Sequence, residues 1–145
     1  MGTVSNILKG KGKGNAIISI SPGTTVYKAL EVMVEKNVSA LLVMENEKLV
    51  GIFTERDYAR KVVLKGKTSS QTNIEEVMSE DVITIGPHLT IDECMRMMTD
   101  RFIRHLPIVE EDKVLGIVSI GDVVKFIIED QKFIIQHMEH YITGI

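Results

Sequence analysis

Gly51-Ile52-Phe53-Thr54-Glu55-Arg56-Asp57 returns 65 residues later as Gly116-Ile117-Val118-Ser119-Ile120-Gly121-Asp122. Each copy reads as a short apolar strand that runs into a hydroxyl residue, with an aspartate three positions on, where a helix should begin. That spacing is the spacing of a helix capping box, in which the two side chains bind each other's backbone N–H groups. A single box is common and implies no function. Two in one register imply that the segments around them correspond as well.

Sliding the chain by 65 residues aligns the flanks without a gap. The pairs Ile18/Ile83, Ile20/Ile85, Pro22/Pro87, Thr25/Thr90, Met33/Met98, Leu41/Leu106 and Lys48/Lys113 are identical, and Val26/Ile91 and Val43/Ile108 stay apolar. The pattern is an internal duplication. In the first copy it predicts a strand over 17–20, a turn at Ser21-Pro22-Gly23, and a helix over 24–36 with Ala29, Leu30, Met33 and Val34 as its buried stripe. Strands over 39–44 and 49–53 and a helix over 54–64 complete the unit.

The opening residues Val4, Ile7 and Leu8 suit a short amphipathic helix and correspond to Ile74, Val77 and Met78 at an offset of 70. The run Lys9-Gly10-Lys11-Gly12-Lys13-Gly14 is expected to end that helix as a solvated linker. The division follows: a first repeat with its opening helix and linker over 1–66, a connection over 67–73, a second repeat over 74–130, and an extension over 131–145. The last helix should run from Ser119 to about Ile142, because Lys125-Phe126-Ile127-Ile128 recurs seven residues later as Lys132-Phe133-Ile134-Ile135 on nearly the same face. So long and apolar a helix needs a partner, either its own domain or a second subunit.

Composition narrows the function. The chain of 145 residues has a net charge of −3 and no long basic run, which argues against a nucleic-acid surface. Its single cysteine, Cys94, forms no internal disulfide and points to a reducing compartment. With no signal peptide and no apolar run of about twenty residues, a soluble cytoplasmic protein without a membrane segment is expected. Gly66-Lys67-Thr68 is no phosphate loop, because Lys61 stands where the first glycine is required. Cys94 aligns with Ala29 and reads as core, and His137 and His140 lack a third metal ligand. No nucleophile, base or metal cluster is evident, so catalysis is not expected.

The duplicated β-α-β-β-α unit carrying Gly-Ile-x-[Thr/Ser]-x-x-Asp resembles a tandem of cystathionine-β-synthase (CBS) domains. Ile103-Arg104-His105-Leu106-Pro107 and Ser119-Ile120-Gly121-Asp122-Val123-Val124 match small stand-alone members. The resemblance implies an α/β fold of two repeats packed with pseudo-twofold symmetry. It further implies two clefts for adenosine compounds: AMP, ADP, ATP, NAD(H) or S-adenosylmethionine. The aspartate would hold the ribose hydroxyls, and the hydroxyl residue and helix N-terminus would face phosphate. One cleft would take Thr54 and Asp57 with Ile103, Arg104, His105 and Pro107. The other would take Ser119 and Asp122 with Thr24, Val38, Ser39 and Ala40, and Arg56 would reach its phosphate where the counterpart Gly121 cannot. A homodimer that signals to an effector protein in trans is the implied role. A ligand-free dimerisation scaffold is the alternative, and a nucleotide-acting enzyme a more distant one.

Overall fold

The computed structural model describes residues 2–11 and 17–143, with side chains through Glu139. Half of the 9–14 run expected to be linker, residues 12–14, therefore lies outside it, as does the side chain of His140.

Each repeat is built around an antiparallel hairpin. Strands β2 (Ala40–Glu45) and β3 (Lys48–Thr54) pair Ala40 with Thr54 and Glu45 with Lys48. Strands β4 (His105–Glu110) and β5 (Lys113–Ser119) repeat this, with His105 opposite Ser119 and Glu110 opposite Lys113. The two-residue turns have positive φ at Asn46 and Glu47 and again at Glu111 and Asp112, the backbone that matches the strand twist in tight hairpins. Both hairpins shift register at the same place, between Val43 and Met44 and between Ile108 and Val109. A short parallel strand β1 (Ser19–Ile20) joins the first sheet beside β2. In the second repeat its counterpart is reduced to one parallel bridge, Ile85 to Ile108.

Helices α2 (Val26–Lys36) and α5 (Ile91–Arg101) cover the sheets. Thr25 and Thr90 cap them by accepting from the N–H groups of Lys28 and Glu93. Val26, Ala29 and Met33 are buried on α2, matched by Ile91, Cys94 and Met98 on α5. Leu30 is partly buried, but Val34 is 82% exposed and does not belong to the stripe. The helix expected over 54–64 begins with one turn, α3 (Glu55–Asp57), and continues as a π-helix over Tyr58–Val63. Its counterpart α6 is a single helix, Ile120–Thr143.

The opening helices are exchanged between the two cores. Helix α1 (Val4–Lys11) buries Val4 and Ile7 among Ile91, Leu106, Ile108, Val118 and Val123 of the second repeat. Helix α4 (Ile74–Val77) buries Ile74 and Val77 among Val26, Leu41, Phe53 and Val62 of the first. Backbone bonds fix both: Val4 N–H to Leu89 C=O and Ser5 N–H to Pro87 C=O, then Ile74 N–H to Thr24 C=O and Glu75 N–H to Pro22 C=O. The structure thus places α1, which the sequence groups with repeat one, in the core of repeat two. It also carries α1 through Gly10 to Lys11, past the point where the glycines were expected to stop it. Basic residues Lys9 and Lys11 in the last turn favour the negative end of the helix and offset the glycine.

The motif glycine has a packing reason. A Cβ on Gly51 would lie 2.6 Å from Met78 Sδ and 3.1 Å from the Ser79 carbonyl oxygen. The thioether can move, but Ser79 exchanges two backbone hydrogen bonds with Ile52, at 2.9 and 3.0 Å. Gly51→Ala is expected to cost about 1–3 kcal/mol in urea unfolding. An unchanged midpoint would show that the α4 connection yields freely.

Candidate functional site: two unequal carboxylate corners

Both motifs form reciprocal capping boxes. The Thr54 N–H donates to Asp57 Oδ2 at 3.0 Å, and the Asp57 N–H returns to Thr54 Oγ1 at 3.1 Å. The Ser119 N–H donates to Asp122 Oδ2 at 2.8 Å, and the Asp122 N–H returns to Ser119 Oγ at 3.1 Å. The next N–H of each helix is tied to the start of the hairpin, Glu55 to Ser39 C=O at 3.1 Å and Ile120 to Arg104 C=O at 2.8 Å. Up to this point the corners are equivalent.

They differ in what else holds the carboxylate. Asp57 is buried, and its side chain is 10% exposed. Its Oδ2 also accepts from the Thr54 hydroxyl at 3.1 Å, while Oδ1 accepts from the Ser79 hydroxyl at 3.1 Å and faces Lys61 Nζ at 3.1 Å. Both oxygens are therefore engaged by the protein. The Asp122 side chain is 27% exposed, and its Oδ2 meets Lys11 Nζ at 2.7 Å. Its Oδ1 has no partner among the described residues. Lys11 also donates to the Ile117 carbonyl at 2.8 Å. Burial alone would raise the Asp122 carboxyl, but hydrogen bonds from Lys11 and Ser119 outweigh it and hold the group below its ordinary 3.8.

The repeats meet at Ser39 and His105, whose Oγ and Nε2 lie 3.0 Å apart. Two residues assigned to different clefts thus share one hydrogen bond. Burial keeps the His105 imidazole below its ordinary 6.5, against the opposing charges of Asp122 and Glu55 and with the help of Arg104 and Lys11. His105 therefore stands within the electrostatic reach of the second motif as well as in the wall assigned to the first.

The remaining expected residues divide. Val38 and Ile103 are half-buried, and Ala40 and Pro107 are buried at the starts of the two hairpins. The Arg104 side chain is exposed. Arg56 donates through Nη1 to the Phe102 carbonyl at 2.8 Å, which places it beside Ile103, at the wall assigned to the first cleft. Phe102 ends α5 in the left-handed region, where the equivalent residue of repeat one is Asn37. The described contacts of Thr24 are with Ser21 and Ile74, at the turn before α2.

Three partners of the carboxylates were not among the expected residues. Lys61 lies four residues after Asp57 on the same helix, a spacing legible as an ion pair. Ser79 arrives through the Ile52–Ser79 bridge and Lys11 through the exchanged α1, so neither had a local signal. Cys94 is fully buried, and burial pushes its thiol above 9.0. Among the described residues, no group of three or more His, Cys, Asp or Glu is arranged to hold a metal ion. Nor is any described helix long and apolar enough to cross a membrane.

Comparison with known proteins agrees with this architecture. The CBS domain model matches residues 15–64 and 74–129. The chain is 37% identical over 149 residues to CBS domain-containing protein CBSX3, mitochondrial, of Arabidopsis thaliana, covering 98% of this chain and 72% of that protein. A CBS-domain protein from Burkholderia ambifaria MC40-6 superimposes with a TM-score of 0.86 at 45% identity, over 89% of this chain and 96% of that one. The CBS domain pair of protein MJ0100, solved in complex with 5′-methylthioadenosine and S-adenosyl-L-methionine, superimposes with a TM-score of 0.73 at 25% identity, over 88% of this chain and 97% of that one. The duplicated hairpins, the paired capping boxes and these matches lead to one assignment: the chain belongs to the CBS domain family, as a tandem CBS pair.

Proposed function

We propose that the chain is a regulatory module that binds an adenosine-containing ligand at the Asp122 corner and signals to an effector protein in trans. The observation that carries this reading is the difference between the two carboxylates. A ribose diol needs acceptor lone pairs. Asp122 has an oxygen without a partner among the described residues on a part-exposed side chain, whereas both oxygens of Asp57 are engaged and nearly buried. The N-terminus of the 24-residue α6 adds a partial positive charge beside this corner, suited to phosphate. The complex of the MJ0100 pair with two adenosine compounds supports the ligand class. AMP, ADP, ATP, NAD(H) and S-adenosylmethionine share the adenosine half that such a corner recognises. For Asp57 the saturated network favours a structural role instead, as in a ligand-free scaffold.

The reading includes a homodimer, with the outer stripe of α6 facing its own copy. Val124, Ile128, Ile135 and Met138 are each 47–59% exposed along one face of that helix. Lys125 and Lys132 alternate with Glu129 and Glu139, so two antiparallel copies would set opposite charges against each other.

In thermal unfolding with AMP, ATP, NADH or S-adenosylmethionine at about 100 times Kd, at least one compound is expected to raise Tm by about 5–10 °C. Asp122→Ala should abolish the rise, and Asp57→Ala should lower the starting Tm but leave a rise. No response to any compound would reject the ligand-binding reading. Light scattering should give twice the chain mass, falling to one chain mass for Ile128→Glu. A wild-type monomer would contradict the dimer.

A further inference from the structure

The Asp122 corner already has an occupant. Of the two lone pairs on Oδ2, one accepts from the Ser119 N–H at 2.8 Å and the other faces Lys11 Nζ at 2.7 Å. The Ser119 donor is a backbone group fixed by the helix cap. Lys11 instead arrives on a flexible side chain from α1, a helix anchored at its other end by buried Val4 and by the bonds to Leu89 and Pro87. A vicinal diol that grips both carboxylate oxygens needs a lone pair on each. On Oδ1 one is available among the described residues. On Oδ2 only the ammonium can leave.

We propose that Lys11 is an affinity-setting residue of the second cleft, an intrachain occupant of the position where a ribose hydroxyl binds, which the ligand must displace. This deepens the adenosine reading above and rests on it. Lys11 is 22% exposed and makes a second bond to the Ile117 carbonyl, so it is held in place yet remains within reach of solvent. At the first corner the cation is Lys61, on the same helix as its aspartate, and the Ser79 hydroxyl is added to it. Displacement there would leave Asp57 still closed on the Ser79 side. The exchange of α1 between cores is what brings a cation from outside the motif's own helix to one carboxylate and not the other.

Titration calorimetry of the full chain with AMP and with adenosine tests this in wild type, Lys11→Met and Lys11→Arg. Lys11→Met is expected to bind both compounds about three- to fivefold more tightly, the range of a part-exposed ion pair, and Lys11→Arg to stay near wild type. Unchanged or weaker binding by Lys11→Met, with wild type still binding AMP, overturns the proposal alone. Weaker AMP binding with adenosine spared would make Lys11 a phosphate ligand and also overturns it. Equal gains in Lys11→Met and Lys11→Arg would overturn it too, because the charge would not be the cause. If neither wild type nor Lys11→Met binds AMP, ATP, NADH or S-adenosylmethionine, the adenosine reading falls, and this proposal with it.

Discussion

The burial of each opening helix in the core of one repeat is the constraint on which the structure depends. Val4 and Ile7 complete the second core, and Ile74 and Val77 the first. Fully burying side chains of this size stabilises by about 1.5–3 kcal/mol each, so neither repeat keeps its core without its helix. Because α1 comes from the far end of the chain, the second core closes only when the first repeat has been crossed. The pair therefore folds as one unit. The Ser39–His105 bond between the repeats is one consequence, and the delivery of Lys11 to Asp122 is another.

The duplicated motif serves structure first. In both copies the hydroxyl and the carboxylate cap a helix, and a carboxylate that caps has fewer lone pairs left for a ligand. The capping boxes make the two corners alike, and the contacts beyond them make the corners different. Around Asp57 the additions are Ser79 and Lys61, from the segment after α4 and from the π-helical turn. Around Asp122 the addition is one lysine on a flexible stem. The first corner is a closed polar cluster, while the second keeps an oxygen without a partner among the described residues and a cation brought in by α1.

Much of this was legible because it is local and occurs twice. The 65-residue offset places the hairpins, their turns, both capping boxes and the buried positions of α2 and α5, since each depends on neighbours within a few residues. Errors arose where a distant contact decides. Val34 fits the helical period but has nothing packed over it. Gly10 should break a helix, yet α1 carries on to Lys11, where an ion pair waits on another repeat. The expectation that Arg56 reaches the second cleft rests on its place beside Asp57, and in the structure its Nη1 donates to the Phe102 carbonyl at the left-handed end of α5. The inequality between the sites was expected from Arg56 and Gly121. In the structure it stands on Lys11, Lys61 and Ser79, two of which come from outside the motif's own helix.

The central claim is that the Asp122 corner, and not the Asp57 corner, receives the adenosine ligand. Following backbone amides in nitrogen-15 correlation spectra during a titration with AMP reads both corners at once. The amides of residues 119–123 should shift saturably while those of residues 54–57 remain in place. Movement of residues 54–57 first, or of both groups together with one affinity, would contradict it.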